Sequence, residues 1–202
     1  MKKSFRLLLL CLLPLSLSGC VTALVGAGAF GVMSATDRRS TGAQADDQVM
    51  EVRIQNTALT HLRSNNTMQG FEPKLSVVSF NRQVLLMGLV ASEADKAFVE
   101  RVARAQPNAE KIYNYIQVAT SARGFGEVSN DSWVTSKVRT TLLGTKGVSA
   151  NHVKVVTYNG VTYVMGILTP EEQALVSNTV STTAGVQQVV TLYETFVPSN
   201  VR

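Results

Sequence analysis

The sequence predicts an α+β fold built from two tandem units, each running helix, strand, strand, helix, strand. Each unit should hold a three-stranded mixed sheet with two helices on one face. Three observations lead there. The chain repeats itself: Asp47-Gln48-Val49-Met50, followed by Ile54, Ala58 and Leu59, resembles Asp131-Ser132-Trp133-Val134, followed by Val138, Leu142 and Leu143. Each copy then carries two strand-like runs, Leu75–Val78 with Val84–Leu89 and Val153–Val156 with Thr162–Ile167, sharing a Met-Gly pair at Met87-Gly88 and Met165-Gly166. A second helical stretch and a last strand follow in both, and a crossover between parallel strands is right-handed, which keeps the helices together on one face.

In chain order, Asp47 and Asp131 read as N-caps of the first helices. Asn159-Gly160 is a strong type I′ hairpin signal, and Asn81-Arg82 a weaker version at the same place. Thr169-Pro170-Glu171-Glu172 combines a capping box with proline at the first helical position, and Ser92-Glu93-Ala94-Asp95 fills that role in copy one. Pro107 and Gly185 are expected to end these helices, and Ala109–Val118 and Val186–Phe196 supply the last strands. Copy one has six extra residues around Ser64–Phe71, a contact loop or an inert insertion. Units of ~70 residues bury only a modest core, so the copies are expected to pack against each other.

The N-terminus reads differently. Lys2, Lys3 and Arg6 precede an apolar run from Leu7 to Leu17 that is too short to cross a bilayer, the pattern of a secretory signal. Leu17-Ser18-Gly19-Cys20 resembles a bacterial lipobox, which implies cleavage before Cys20 and acylation of that cysteine, palmitate included. The expected division is a signal peptide over 1–19, lipidated Cys20 with a flexible tether over 20–46, and globular units over 47–119 and 120–197. Gly26-Ala27-Gly28-Ala29-Phe30-Gly31 fits G-x-G-x-x-G, but it lies in the small-residue tether with no strand before it, so a dinucleotide site is not expected.

The formal charge of +5 and the pI near 9.4 would ordinarily point to nucleic acid or an anionic membrane. Three of those charges leave with the signal, so the mature chain is near neutral, and a nucleic-acid partner is not expected. Cys11 leaves too, and an acylated Cys20 can form neither a disulfide nor a metal site.

Two such units after a lipobox resemble the dual BON-domain outer-membrane lipoproteins of Gram-negative bacteria. The likeness covers the whole chain, including Ala35-Thr36-Asp37-Arg38-Arg39-Ser40 and Trp133-Val134-Thr135-Ser136-Lys137-Val138-Arg139. The resemblance implies a non-enzymatic, lipid-anchored protein of the outer membrane facing the periplasm. It also implies binding of anionic phospholipid through the second BON domain, support of cell-envelope integrity, and a link to cell division. Val21 and Thr22 after Cys20 lack the aspartate that commonly retains lipoproteins at the inner membrane.

The residues give their own reason to favour copy two. On a wheel of about 100° per residue, Val134, Val138, Thr141 and Leu142 form the core stripe, and Trp133 points roughly 130° from its centre. Lys137 and Arg139 should flank the outer face, with Ser136 and Thr140 between them. An exposed indole among cations suits a headgroup layer, though Trp133 could instead pack on the other domain or the tether. From Trp133 to Pro170 the chain carries Lys137, Arg139, Lys146 and Lys154 and no acidic residue. The candidate phospholipid site is therefore Trp133, Lys137, Arg139, Ser136, Thr140 and Lys146, with phosphatidylglycerol and cardiolipin as expected partners. Copy one has Val49 in place of the tryptophan, and Glu51 close to Arg53, a weaker membrane surface.

Catalysis is not expected. His61 and His152 stand alone, with no P-loop, no G-x-S-x-G elbow and no metal or other cofactor implied. The alternative function is a protein-binding adaptor for outer-membrane assembly or division, working through sheet faces or edge strands without direct lipid recognition.

Overall fold

A computed structural model describes residues 37–119, 121 and 125–198, the backbone alone at Phe125. Cys20 and the rest of the expected signal and tether up to Thr36 lie outside the described residues. Residues Asp37–Arg202 group into one compact body. Helix α1 (Thr41–Ser64) leads to β1 (Lys74–Phe80), β2 (Gln83–Val90), α2 (Glu93–Arg104) and β3 (Lys111–Val118). The second repeat runs α3 (Phe125–Leu143), a short 3-10 turn (Ala150–His152), β4 (Val153–Tyr158), β5 (Val161–Leu168), α4 (Pro170–Ser181) and β6 (Gln188–Thr195).

Both sheets are mixed, as expected. β1 pairs antiparallel with β2, and β2 parallel with β3; β4, β5 and β6 repeat the pattern. The central strands are buried on both faces, which is why they read as near-continuous apolar runs. One face of the first sheet packs Val84, Leu86 and Val90 under Ile54 and Ala58 of α1 and Val99 and Ala103 of α2. The second sheet does the same with Val164 and Leu168 under Val138, Leu142, Val176 and Val180. The opposite faces meet each other: Phe80, Leu85 and Met87 pack with Tyr163, Met165, Ile167 and Leu192 in a third apolar cluster. This seam joins the repeats, as the small size of each core led us to expect. Hairpin residue Asn81 donates to Glu194 at the end of β6, and Asn159 donates to Gln117 at the end of β3, so the two ends of the seam match.

Glycine in the central strand has a direct cause. A Cβ on Gly88 would stand 2.3 Å from the Lys74 carbonyl oxygen, and one on Gly166 2.8 Å from that of His152. The neighbouring strand comes in too close for any side chain.

The helix starts differ from expectation. Asp47 and Asp131 are not N-caps. Ser40 caps α1, its Oγ accepting from Ala43 N at 3.1 Å, and α3 already begins at Phe125. A buried aspartate about two turns inside a helix looks, in sequence, like one at its start. Asp47 and Asp131 instead brace the hairpin turns. Asn81 N and Arg82 N donate to Asp47 at 2.8 and 2.7 Å, and Asn159 N and Gly160 N donate to Asp131 at 2.7 and 3.0 Å. Both turns take the type I′ form: φ is 51° and 64° at Asn81 and Arg82, and 52° and 76° at Asn159 and Gly160. Arginine in that region is unfavourable by roughly 1 kcal/mol, and the carboxylate offsets it.

The boundary of the first globular unit moves as well. Residues 41–46 are helical, and Asp37 to Ser40 are tied down by hydrogen bonds, so the structured part starts ahead of Asp47. The capping box of α4 forms between Thr169 and Glu172, and Ser92 caps α2. Those helices stop at Arg104 and Ser181; Pro107 and Gly185 sit in the turns beyond. The extra loop of copy one closes on itself: Asn66 Nδ2 donates to Phe71 O and Phe71 is buried.

Candidate membrane-contact face

Helix α3 presents two sides to its surroundings, and the structure distributes the candidate residues between them. Val134, Val138 and Leu142 enter the core. Trp133 is 53% exposed. Its ring lies against the backbone of Gly185, where an added Cβ would fall 2.6 Å from Trp133 Cζ3. Lys137, one turn on, places its ammonium 4.5 Å from the indole centroid. Ser136 and Thr140 are exposed beside them.

The hydroxyls of this face are turned inward. Ser132, Ser136 and Thr140 donate to the carbonyls of Val128, Ser132 and Ser136, at 3.0, 2.9 and 3.0 Å. Thr141 and Thr145 do the same to Lys137 and Thr141. A hydroxyl bonded to its own helix needs less from water, so this face loses less on leaving water than its composition suggests.

Arg139 belongs to the other side. It is exposed, but its guanidinium donates to Val155 O at 2.8 Å. One turn earlier, Thr135 Oγ1 accepts from Thr157 N at 2.8 Å. Together they cover the outer edge of β4. Helix α1 treats β1 alike: Gln55 donates to Leu75 O and Glu51 accepts from Ser79 N. Arg139 therefore does not share the Trp133 face as the wheel implied, because a long side chain reaches for an unpaired carbonyl on the neighbouring edge strand.

Lys154 also leaves the patch. Its ammonium bridges to Glu51 and to Ser79 O of the first repeat, at 2.5 and 3.0 Å. The acid-free run in sequence is thus only partly a patch in space. Lys146, beyond the end of α3, is exposed. One residue was missed: Leu143, 71% exposed, falls on the side of Ser136 and Thr140. The same wheel would have found it had the exposed side been read for apolar residues. On α1, at the positions that match Trp133 and Ser136, the structure has Val49 and Val52, 45% and 60% exposed.

The remaining candidates for chemistry have structural uses. Glu172 completes the helix cap and pairs with Arg38. His61 stacks on Phe98 at 3.7 Å. Among the described residues, no helix is long and apolar enough to cross a membrane.

The model of the BON domain matches residues 52–120 and 130–192. This chain belongs to the BON-domain family. It is 30% identical over 178 residues to the outer membrane lipoprotein DolP of Haemophilus influenzae, covering 88% of this chain and 89% of that protein. It is 30% identical over 154 residues to the 21 kDa hemolysin of Actinobacillus pleuropneumoniae, covering 76% of each. Among solved structures it matches CdsD, a structural protein of the type III secretion system of Chlamydia trachomatis. That match has 16% identity and a TM-score of 0.30, and covers 72% of this chain but 63% of that one, less than two thirds. The chain is a dual-BON lipoprotein of the outer membrane, with a general role there.

Proposed function

We propose that this lipoprotein binds anionic phospholipid through the outer face of α3, and so helps to maintain outer-membrane integrity. Acylation at Cys20 supplies the standing attachment, and α3 adds a second, charge-dependent one. The observation that carries the reading is the exposed Trp133 with Lys137 over its ring, on a face whose hydroxyls are bonded within the helix. An indole stacked with a cation suits the headgroup layer, where the ring meets acyl chains and the ammonium meets phosphate. Each cation near an anionic surface contributes about 1 kcal/mol. Lys137 and Lys146 give two such terms, and Arg139 adds what its bond to Val155 O leaves free. Binding of that strength is weak alone and effective beside a lipid anchor.

The test is vesicle flotation of a soluble fragment starting at Asp37. It should float with vesicles containing phosphatidylglycerol or cardiolipin and not with phosphatidylcholine, and Trp133→Ala with Lys137→Glu should remove the difference. A folded double variant that floats like the parent sinks the proposal. The adaptor alternative predicts no flotation and a co-purifying envelope protein. The coverage of the β1 and β4 edges by α1 and α3 leaves β3 and β6 as the strand edges such a partner would use.

A further inference from the structure

Two neighbouring arginines at the start of the described chain turn to opposite repeats. Arg39 faces the first. Its guanidinium bonds Asp37 at 2.7 Å and Asp47 at 3.0 Å, and it lies 4.2 Å above the Phe80 ring. Arg38 faces the second. It grips both carboxylate oxygens of Glu172, donates to Ile167 O at 2.7 Å, and lies 4.1 Å above the Phe196 ring. Phe80 and Phe196 both belong to the apolar seam between the sheets. Both arginines are mostly enclosed, their side chains 16% and 17% exposed.

A tether that only linked an anchor to a domain would need none of this. Planar forks on paired carboxylates, stacked on aromatic rings, are the geometry in which arginine holds surfaces together rather than decorating them. Asp47 ties the device further into the fold, since the carboxylate that receives Arg39 also braces the first hairpin. Other polar contacts across the seam, Lys154 with Glu51 and Ser79 O, Asn81 with the Glu194 carboxylate and Asn159 with Gln117, are made without an arginine fork. The Arg38 contact is a bidentate ion pair, a backbone hydrogen bond and a ring contact at once.

We infer that Arg38 and Arg39 form a two-sided staple that locks the repeats in one relative orientation, with Arg38 the positioning residue for the second. The staple lies where the lipid tether enters the fold. It therefore fixes how α3 stands relative to the first repeat; that this matters for membrane contact rests on the lipid-binding reading, whereas the lock itself does not. His152, in the turn that follows α3, lies 3.9 Å from the same Glu172 carboxylate, so the staple sits close to the C-terminal end of that helix.

The experiment is a distance measurement by pulsed electron paramagnetic resonance on the full acylated chain in detergent. Spin labels go on cysteines placed at the exposed positions Thr60 of α1 and Ala174 of α4. The parent should give one narrow distance distribution. Arg38→Ala, and separately Glu172→Gln, should broaden it at least twofold or add a longer component, with unchanged far-UV circular dichroism. Distributions that superimpose on the parent's in both variants overturn the staple. No phospholipid enters this measurement, so absence of phospholipid binding leaves the lock standing and removes only its consequence for α3.

Discussion

Replacing Asp47 by asparagine separates two accounts of the same residue by size and sign. An N-cap tolerates the change, because aspartate and asparagine are about equal there. A carboxylate bracing a turn does not. Asp47 is 2% exposed and accepts from Ser79 Oγ at 2.8 Å, Asn81 N at 2.8 Å, Arg82 N at 2.7 Å and an Arg39 N–H at 3.0 Å. Asn81 N and Arg39 share one oxygen, while Ser79 and Arg82 share the other. Asparagine keeps one acceptor and turns an NH2 group toward two donors, so about two bonds are lost and two donors face each other. Hydrogen bonds to a charged group contribute about 1.5–3 kcal/mol each, and an orphaned buried donor costs a similar amount. The expected loss is roughly 3–5 kcal/mol, against roughly zero for a cap. For a body of this size that is a fall in Tm of about 6–20 °C. Thermal and urea unfolding of the soluble fragment followed by circular dichroism measures it. A loss under about 1 kcal/mol would refute the bracing account. Asp131→Asn, through Asn159 N and Gly160 N, should also destabilise, but less, since Gly160 takes its positive φ more readily than Arg82 does.

Further expectations follow from the central strand and the staple. Gly88→Ala drives a methyl to 2.3 Å from the Lys74 carbonyl oxygen, so the two strands must part; a loss above about 2 kcal/mol is expected in urea unfolding, and more than for Gly166→Ala, whose contact is 2.8 Å. Burial alone would raise the Glu172 carboxyl, but the hydrogen bonds from Arg38 and from Thr169 N–H, with the charges of Arg38 and His152, hold it below the ordinary glutamate range. A carboxylate lowered in the folded state adds stability that is present above its unfolded pKa, ordinarily 4.5, and lost as pH falls through the folded value. Stability should therefore drop on acidification below about 4.5, and Glu172→Gln should flatten that part of the pH profile, read as urea midpoint against pH.

The repeated order of elements, the mixed sheets and the capping box of α4 were legible because each rests on local chemistry: a turn dipeptide, a cap, an apolar run. The bracing role of Asp47 was not, because its partners Asn81 and Arg82 lie more than thirty residues away. Arg38 and Arg39 were passed over for the same reason: Glu172 is 134 residues from Arg38, and the segment's polar, turn-prone composition pointed to a tether. On α3 the wheel put Trp133 on the outside but misjudged Arg139, since angles give directions and not the reach of a long side chain toward a bare carbonyl; Lys154, counted with the patch from the acid-free run, reaches instead for a carboxylate across the seam. Leu143 was visible in the sequence and went unused.

The central claim, that α3 meets anionic lipid with its outer face, is open to one direct reading, because the chain has a single tryptophan and it sits on that face. Vesicles of brominated phosphatidylglycerol should quench Trp133 emission in the soluble fragment and shift it to shorter wavelength, an effect lost at high salt and absent with brominated phosphatidylcholine. Trp133 emission unchanged by brominated phosphatidylglycerol at low salt would contradict the account.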